Sequence, residues 1–230
     1  MVYMAIKDMH APDLVPLPRQ PDGVPWPTQT WSEAPLPEGV NRAAFEALLT
    51  QGFSDPDTLG ATHAFLAIQG GQLVAEHYDD AHDAESTHHS WSMAKSMTHA
   101  LIGFALAEGA VDLHAPIPVP EWSGPDDPRA EITLEQLLRM VSGLQFLEEY
   151  ADAGISHTIE MLFGAGKDDV AHYAADKPLE HAPGAFWLYS SGTTNIICRA
   201  LATALELDQA GFEAYMRTRL LDPIGMRSAV

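Results

Sequence analysis

The chain has 230 residues, 46% hydrophobic and 19% charged, a balance that fits a globular protein of one domain, or two closely joined ones, with a sizeable core. Its 32 acidic residues against 12 basic ones give a net charge of −20, which repels phosphate backbones and anionic membrane surfaces and so argues against nucleic acid or membrane as a partner. No apolar run approaches the roughly 18 residues that span a bilayer, residues 1–22 lack the basic and apolar regions of a secretory signal, and the single Cys198 excludes an intrachain disulfide; the expected address is the cytoplasm.

In chain order, residues 12–37 hold eight prolines, including Pro25, Pro27, Pro35 and Pro37, and read as an arm without regular structure, within an N-terminal segment of residues 1–44. Trp26 and Trp31 suggest that this arm packs on the body. Asn41 caps a helix predicted over Arg42–Leu49. Phe65–Ile68 and Leu73–Tyr78 read as two strands joined by Gln69-Gly70-Gly71-Gln72, since a tight hairpin needs positive φ. Asp79–His89 is a polar loop. A core helix starts near Ser92 and runs through Leu101, Ile102 and Ala105 to Gly109. After the prolines at 116, 118 and 120, Thr133 caps a helix through Met140. Short helices follow at Ile159–Phe163 and Asp168–Ala174, then a turn at Pro183-Gly184 and helices over Thr194–Leu207 and Ala210–Leu220.

The chemistry concentrates at Ser92-Met93-Ala94-Lys95. Residues three apart share a helix face, so Lys95 can reach the Ser92 hydroxyl. A serine is a weak nucleophile until a base takes its proton, and an amine is one recognised base. Of the four lysines (Lys7, Lys95, Lys167, Lys177), Lys95 alone has a serine three positions before it. The backbone N–H of Ser92, near a helix N-terminus, is a candidate oxyanion donor. By itself the spacing also fits an ordinary helix cap followed by a surface lysine.

Further motifs occur in a fixed order: His89-Ser90-Trp91-Ser92-Met93-Ala94-Lys95-Ser96, then Ile132-Thr133-Leu134-Glu135-Gln136-Leu137-Leu138 leading to Ser142-Gly143-Leu144, then Pro183-Gly184 before Tyr189-Ser190-Ser191, and Leu221-Asp222-Pro223-Ile224-Gly225-Met226. The series resembles the serine β-lactamase-related hydrolases, and its motif forms look most like the 6-aminohexanoate-dimer hydrolase branch, over roughly residues 24–230.

The resemblance implies an α/β (α+β) fold of β-lactamase/transpeptidase type: an antiparallel sheet flanked by helices, plus a mostly helical lobe at about 92–200, within a domain at 45–230. It implies an acyl-serine hydrolase without cofactor, acting on a small amide or carboxylic ester. Ser92 matches the nucleophile, and Lys95 with Tyr189 the proton-handling pair. Tyr150 falls where that branch has a tyrosine that closes on substrate; a packing aromatic is the equal alternative.

Two departures qualify the match. Ser191, the other expected substrate-binding residue beside Tyr150, stands where β-lactamases carry asparagine, and a shorter hydroxyl cannot present an amide to a lactam side chain. The family's third motif, a Lys/His-x-Gly strand, would follow Val230, so the expectation is a truncated product whose C-terminal sheet strands are missing. A non-catalytic binding module on the same scaffold is therefore the alternative function, and a D-amino-acid peptidase or esterase a further one. Oligomeric state is left open. His77, Asp79, Asp80, His82, Asp83, His88 and His89 offer metal-ligand types in one loop, but no His-Glu-x-x-His or His-x-His spacing fixes them, and the expectation is no metal. No Gly-x-Ser-x-Gly elbow or phosphate-binding glycine loop is present.

Overall fold

The computed structural model describes residues 4–5, 18–150 and 154–230, and separates into two compact units: Met1–Leu14 with Ser90–Leu220, and Val15–His89 with Leu221–Val230. Residues 6–17, the start of the expected arm, lie outside the described residues. The first element, the two-residue strand β1 (Met4–Ala5), belongs to the larger unit.

In the smaller unit, the Asn41 side chain accepts the Ala44 N–H at 3.1 Å and opens α1 (Arg42–Ser54), which runs past the predicted end at Leu49. Asp55 then caps the short α2 (Pro56–Leu59), which starts on a proline whose missing N–H costs nothing there. Strands β2 (Ala64–Gln69) and β3 (Gln72–Tyr78) form the expected antiparallel hairpin. Gly70 and Gly71, at φ +58° and +75°, supply the two left-handed residues that a two-residue loop demands. The α1 rings meet the hairpin edge-on: Phe45 against Phe65 and Phe53 against His77.

The arm departs from expectation in two ways. Its Ser32–Ala34 stretch pairs with the start of β3: Leu73 donates its N–H to the Ser32 carbonyl at 2.9 Å, and Ala34 donates to the Leu73 carbonyl at 3.0 Å. Trp26 and Trp31, expected to pack, are 69% and 42% exposed. Backbone pairing therefore anchors the arm, helped by Arg227, whose guanidinium donates to Gln29 at 2.6 Å, and not by indole burial.

In the larger unit, a 3₁₀ turn (Trp91–Met93) leads into α3 (Ala94–Ala107), which buries Thr98, Leu101, Ile102 and Ala105 on one face, the i, i+3, i+4, i+7 spacing of a single helical stripe. The helix α4 (Leu134–Leu138) begins with a complete capping box between Thr133 and Gln136. It stops before the predicted Met140, which sits in left-handed backbone at φ +60°. Gly143 follows at φ +79°, and a side chain there would meet the His181 carbonyl at 2.2 Å, so only glycine fits.

Next come α5 (His157–Phe163), α6 (Val170–Ala175) and strand β4 (Phe186–Trp187), which pairs antiparallel with β1. The helix α7 (Ser191–Ala204) is the spine of the unit, packed by α3, α4 and α6 through buried Ile196, Ile197, Ala200 and Leu201. It begins three residues before the predicted Thr194. The last helix is α8 (Gln209–Met216), which runs into a π turn at Arg217–Leu221. Two polar ties brace the unit: the buried Trp122 indole donates to the Ala175 carbonyl at 2.8 Å, and Arg199 donates to both oxygens of Glu121.

Candidate active site

Ser92 lies in the turn that starts α3 and is exposed, while Lys95, on the first turn of the helix, is half-buried behind it. The Lys95 Nζ stands 3.2 Å from Ser92 Oγ, hydrogen-bond distance for a proton moving either way. The residue before Ser92, Trp91, has φ +44°, a left-handed conformation that a bulky side chain rarely adopts. Strain of this kind tends to gather at functional turns.

A second partner reaches Lys95 from α7. Ser190 is the cap of that helix, accepting the Thr193 N–H at 3.0 Å, and this sets Ser191 on the first helical turn. The Ser191 hydroxyl accepts from Lys95 Nζ at 3.0 Å and donates to Glu148 Oε1 at 2.6 Å. Glu148 is only 2% exposed. A carboxylate at that depth must be met by donors, and three converge on it: the Ser191 N–H at 2.6 Å, the Ser191 hydroxyl and the Tyr150 hydroxyl. The Ser191 N–H is one of the α7 amides that the helix itself leaves unpaired, so the carboxylate also sits at the positive end of the helix dipole.

The segment carrying Glu148 is pinned on both sides. Gln145 donates its N–H to the Pro178 carbonyl at 2.9 Å, Leu147 donates to His157 Nδ1 at 2.9 Å, and His157 donates its own N–H to the Leu147 carbonyl at 3.0 Å. A cavity of about 370 Å³ borders this segment, lined by Gln145, Leu147, His157, Glu180 and Leu188 among others, and it excludes the Ser92 cluster.

Tyr189 brings its ring to the amine: Lys95 Nζ lies over the ring face, 4.8 Å from the centroid, within cation–π range. Tyr150 is 61% exposed overall, yet its hydroxyl end is tucked onto Glu148. Desolvation of that end, then the Glu148 carboxylate, push the Tyr150 phenol well above its ordinary pKa of 10, with the nearby Tyr189 phenol adding to the effect. Tyr150 is thus a donor to Glu148 and no proton acceptor near neutrality.

Ser92, Lys95, Tyr189, Ser191 and Tyr150, the five residues singled out from sequence, all belong to this neighbourhood of the larger unit. Glu148, which links two of them, was not among them. In sequence it is one of two adjacent glutamates, Glu148-Glu149, with nothing to distinguish it from a solvated pair.

An exposed serine thus stands beside a half-buried lysine on α3, a helix that packs against α7. The chain belongs to the beta-lactamase family, whose model matches residues 45–230. Among known proteins it is similar to the 6-aminohexanoate-dimer hydrolase of Paenarthrobacter ureafaciens, 30% identical over 95 residues that cover 40% of this chain and 23% of that protein. Its fold is similar to the solved structure of a Bacillus anthracis protein assigned as a 6-aminohexanoate-dimer hydrolase, with a TM-score of 0.57 and 20% identity over 76% of this chain and 48% of that one. At that identity the likeness speaks for the fold alone: β-lactamase-like, mixed α/β, with small antiparallel sheets and many helices. The chain spans less than half the length of either relative. Among the described residues no helix is long and apolar enough to cross a membrane.

Proposed function

We propose that this chain carries the nucleophile of a serine hydrolase that cleaves a small amide or carboxylic ester through an acyl-Ser92 intermediate. The observation that carries this reading is the 3.2 Å separation of Ser92 Oγ and Lys95 Nζ, with the amine held from behind by Ser191 at 3.0 Å. In acylation, Ser92 Oγ attacks the substrate carbonyl carbon and its proton passes to the Lys95–Tyr189 pair. The leaving amine or alcohol takes that proton as its bond to the carbonyl carbon breaks. In deacylation, water attacks the acyl carbon, gives a proton to the same pair, and the carboxylic acid leaves as Ser92 regains its hydrogen.

Glu148 acts through others. It holds the Ser191 hydroxyl as a donor, so a Ser191 lone pair faces Lys95 and fixes where the amine sits. Ser191 is fully engaged by this work, which leaves it little capacity to bind a lactam side chain. The names of the relatives make a linear 6-aminohexanoate amide the first amide to try.

The test compares hydrolysis of p-nitrophenyl acetate and of a linear 6-aminohexanoate dimer by the parent and by Ser92→Ala. Turnover of at least one substrate by the parent, reduced about 10³-fold or more in the variant, is the expected result. Equal rates in the two proteins would remove Ser92 as the nucleophile.

A further inference from the structure

We infer that His63, Asp79 and His82 form a binding site for one divalent first-row transition ion, with Zn²⁺ as the natural probe. The site lies in the smaller unit and is independent of the hydrolase reading.

The backbone places these three residues before any ion arrives. His63 immediately precedes β2 and Asp79 immediately follows β3, so the pair extends the hairpin ladder by one step, and Asp79 donates its N–H to the His63 carbonyl at 3.1 Å. Asp79 then opens a turn: His82 donates its N–H to the Asp79 carbonyl at 3.3 Å, and Ala81 donates its N–H to Asp79 Oδ1 at 3.0 Å. The loop-only list of candidates read from sequence lacked His63, because the antiparallel register brings it in from 16 positions away.

The side chains converge accordingly. His63 Nδ1 is 2.9 Å from Asp79 Oδ2, His82 Nδ1 is 2.6 Å from Asp79 Oδ1, and one ligand atom from each of the three residues lies within 4.8 Å of the others. A tetrahedral ion with bonds of about 2.0–2.1 Å spaces its ligands by about 3.3 Å, so capture requires only small rotations of these rings. Two imidazoles and one carboxylate form a donor set of intermediate softness, suited to zinc and its neighbours and poorly matched to calcium or magnesium.

His88 adds a third imidazole. Its ring centroid is 5.1 Å from that of His82 and 6.3 Å from that of His63. Imidazole nitrogen is a common ligand for ions of this kind. The fourth tetrahedral position is open to water or to His88, and the partial exposure of all three first ligands leaves a path for the ion. The two histidine hydrogen bonds engage both carboxylate oxygens of Asp79, His63 at Oδ2 and His82 at Oδ1, so the whole carboxylate is held at the site. Occupied, it would tie His82, and with it the Asp79–His89 loop, to the open end of the hairpin.

The experiment uses the whole chain, stripped with a chelator and titrated with Zn²⁺ by calorimetry and with Co²⁺ by visible absorption. One ion per chain is expected, with the intense bands of four-coordinate cobalt. Asp79→Asn and His82→Ala should each weaken binding about tenfold or more, while Ser92→Ala leaves it unchanged. Folding of the variants is checked by circular dichroism. Should either variant fail to fold, the cobalt spectrum of the parent and the Zn²⁺-induced shifts of its imidazole NMR signals decide instead. Absence of stoichiometric binding, a six-coordinate cobalt spectrum, or equal affinity in folded variants would overturn the site and leave a hydrogen-bonded His-Asp-His cluster only.

Discussion

Glu148 Oε2 accepts the backbone N–H of Ser191 at 2.6 Å, so a buried carboxylate closes the start of α7 while its other oxygen holds the Ser191 hydroxyl at the same distance. One side chain thus fixes a helix end and the orientation of the residue that touches the Lys95 amine.

Glu148→Gln keeps the shape and removes the acceptor charge. An amide cannot accept at both ends, so one of the three donors is left buried and unpaired at a cost of about 1–3 kcal/mol. The melting temperature should drop by roughly 2–4 °C for each kcal/mol lost. Because the variant loosens the Ser191 position, kcat should fall by about 10²-fold while KM changes little. Stopped assays on a chromogenic ester, paired with a thermal melt, measure both; an unchanged kcat would reduce Glu148 to a helix cap.

Lys95→Arg separates charge from proton transfer. A guanidinium keeps the positive charge and stacks on Tyr189, but it does not give up its proton at any working pH. A base role predicts a kcat loss of about 10²–10⁴-fold in this variant, and a purely electrostatic role predicts near-parent rates.

Gly192→Ala sets a methyl against α7's neighbours. Its Cβ would lie 2.5 Å from Phe146 Cε2 and 2.8 Å from the Ala174 Cβ. Overpacking of this kind costs about 1–3 kcal/mol, more than the gain in helix propensity near a helix start. The variant should melt earlier. Since Phe146 lies two residues before Glu148, its activity should fall as well.

His157 gives the larger unit a pH dependence of definite sign. Burial first, then the Lys177 ammonium, push its imidazole below the ordinary value of 6.5. Its neutral Nδ1 accepts the Leu147 N–H, a bond that protonation breaks. With the folded pKa below the unfolded one, this stabilisation is complete above pH 6.5 and is lost as pH falls through that value towards the folded one. His172, held above 6.5 chiefly by its hydrogen bond to Glu121, works in the opposite sense and loses its contribution as pH rises through its folded value. The informative quantity is therefore a difference. His157→Asn, which keeps an acceptor but does not titrate, should lose less melting temperature than the parent between about pH 7.5 and about pH 5. Parallel slopes would contradict the assignment.

What was legible in the sequence was local. The Ser92–Lys95 spacing, the glycine pair of the hairpin and the Thr133 cap each act within a few residues, and each of these local contacts stands in the structure. What escaped needs contacts far apart in sequence. Glu148 meets Ser191 from 43 positions away, and nothing in Phe146-Leu147-Glu148-Glu149-Tyr150 announces which glutamate turns inward. Read from sequence, α7 starts at Thr194, three residues late, because Ser190 is not identified there as the cap. Trp26 and Trp31 misled in the opposite direction: large apolar rings imply burial, but the arm is tied down through Ser32 and Ala34.

The most direct measurement is the intact mass of the chain after exposure to a fluorophosphonate probe, with the modified peptide located by fragmentation. One adduct on Ser92, absent from Ser92→Ala and formed about 10²-fold or more slowly in Lys95→Ala, is the result this account predicts. An adduct on another residue, or labelling of Ser92 at the same rate without the lysine, would contradict it.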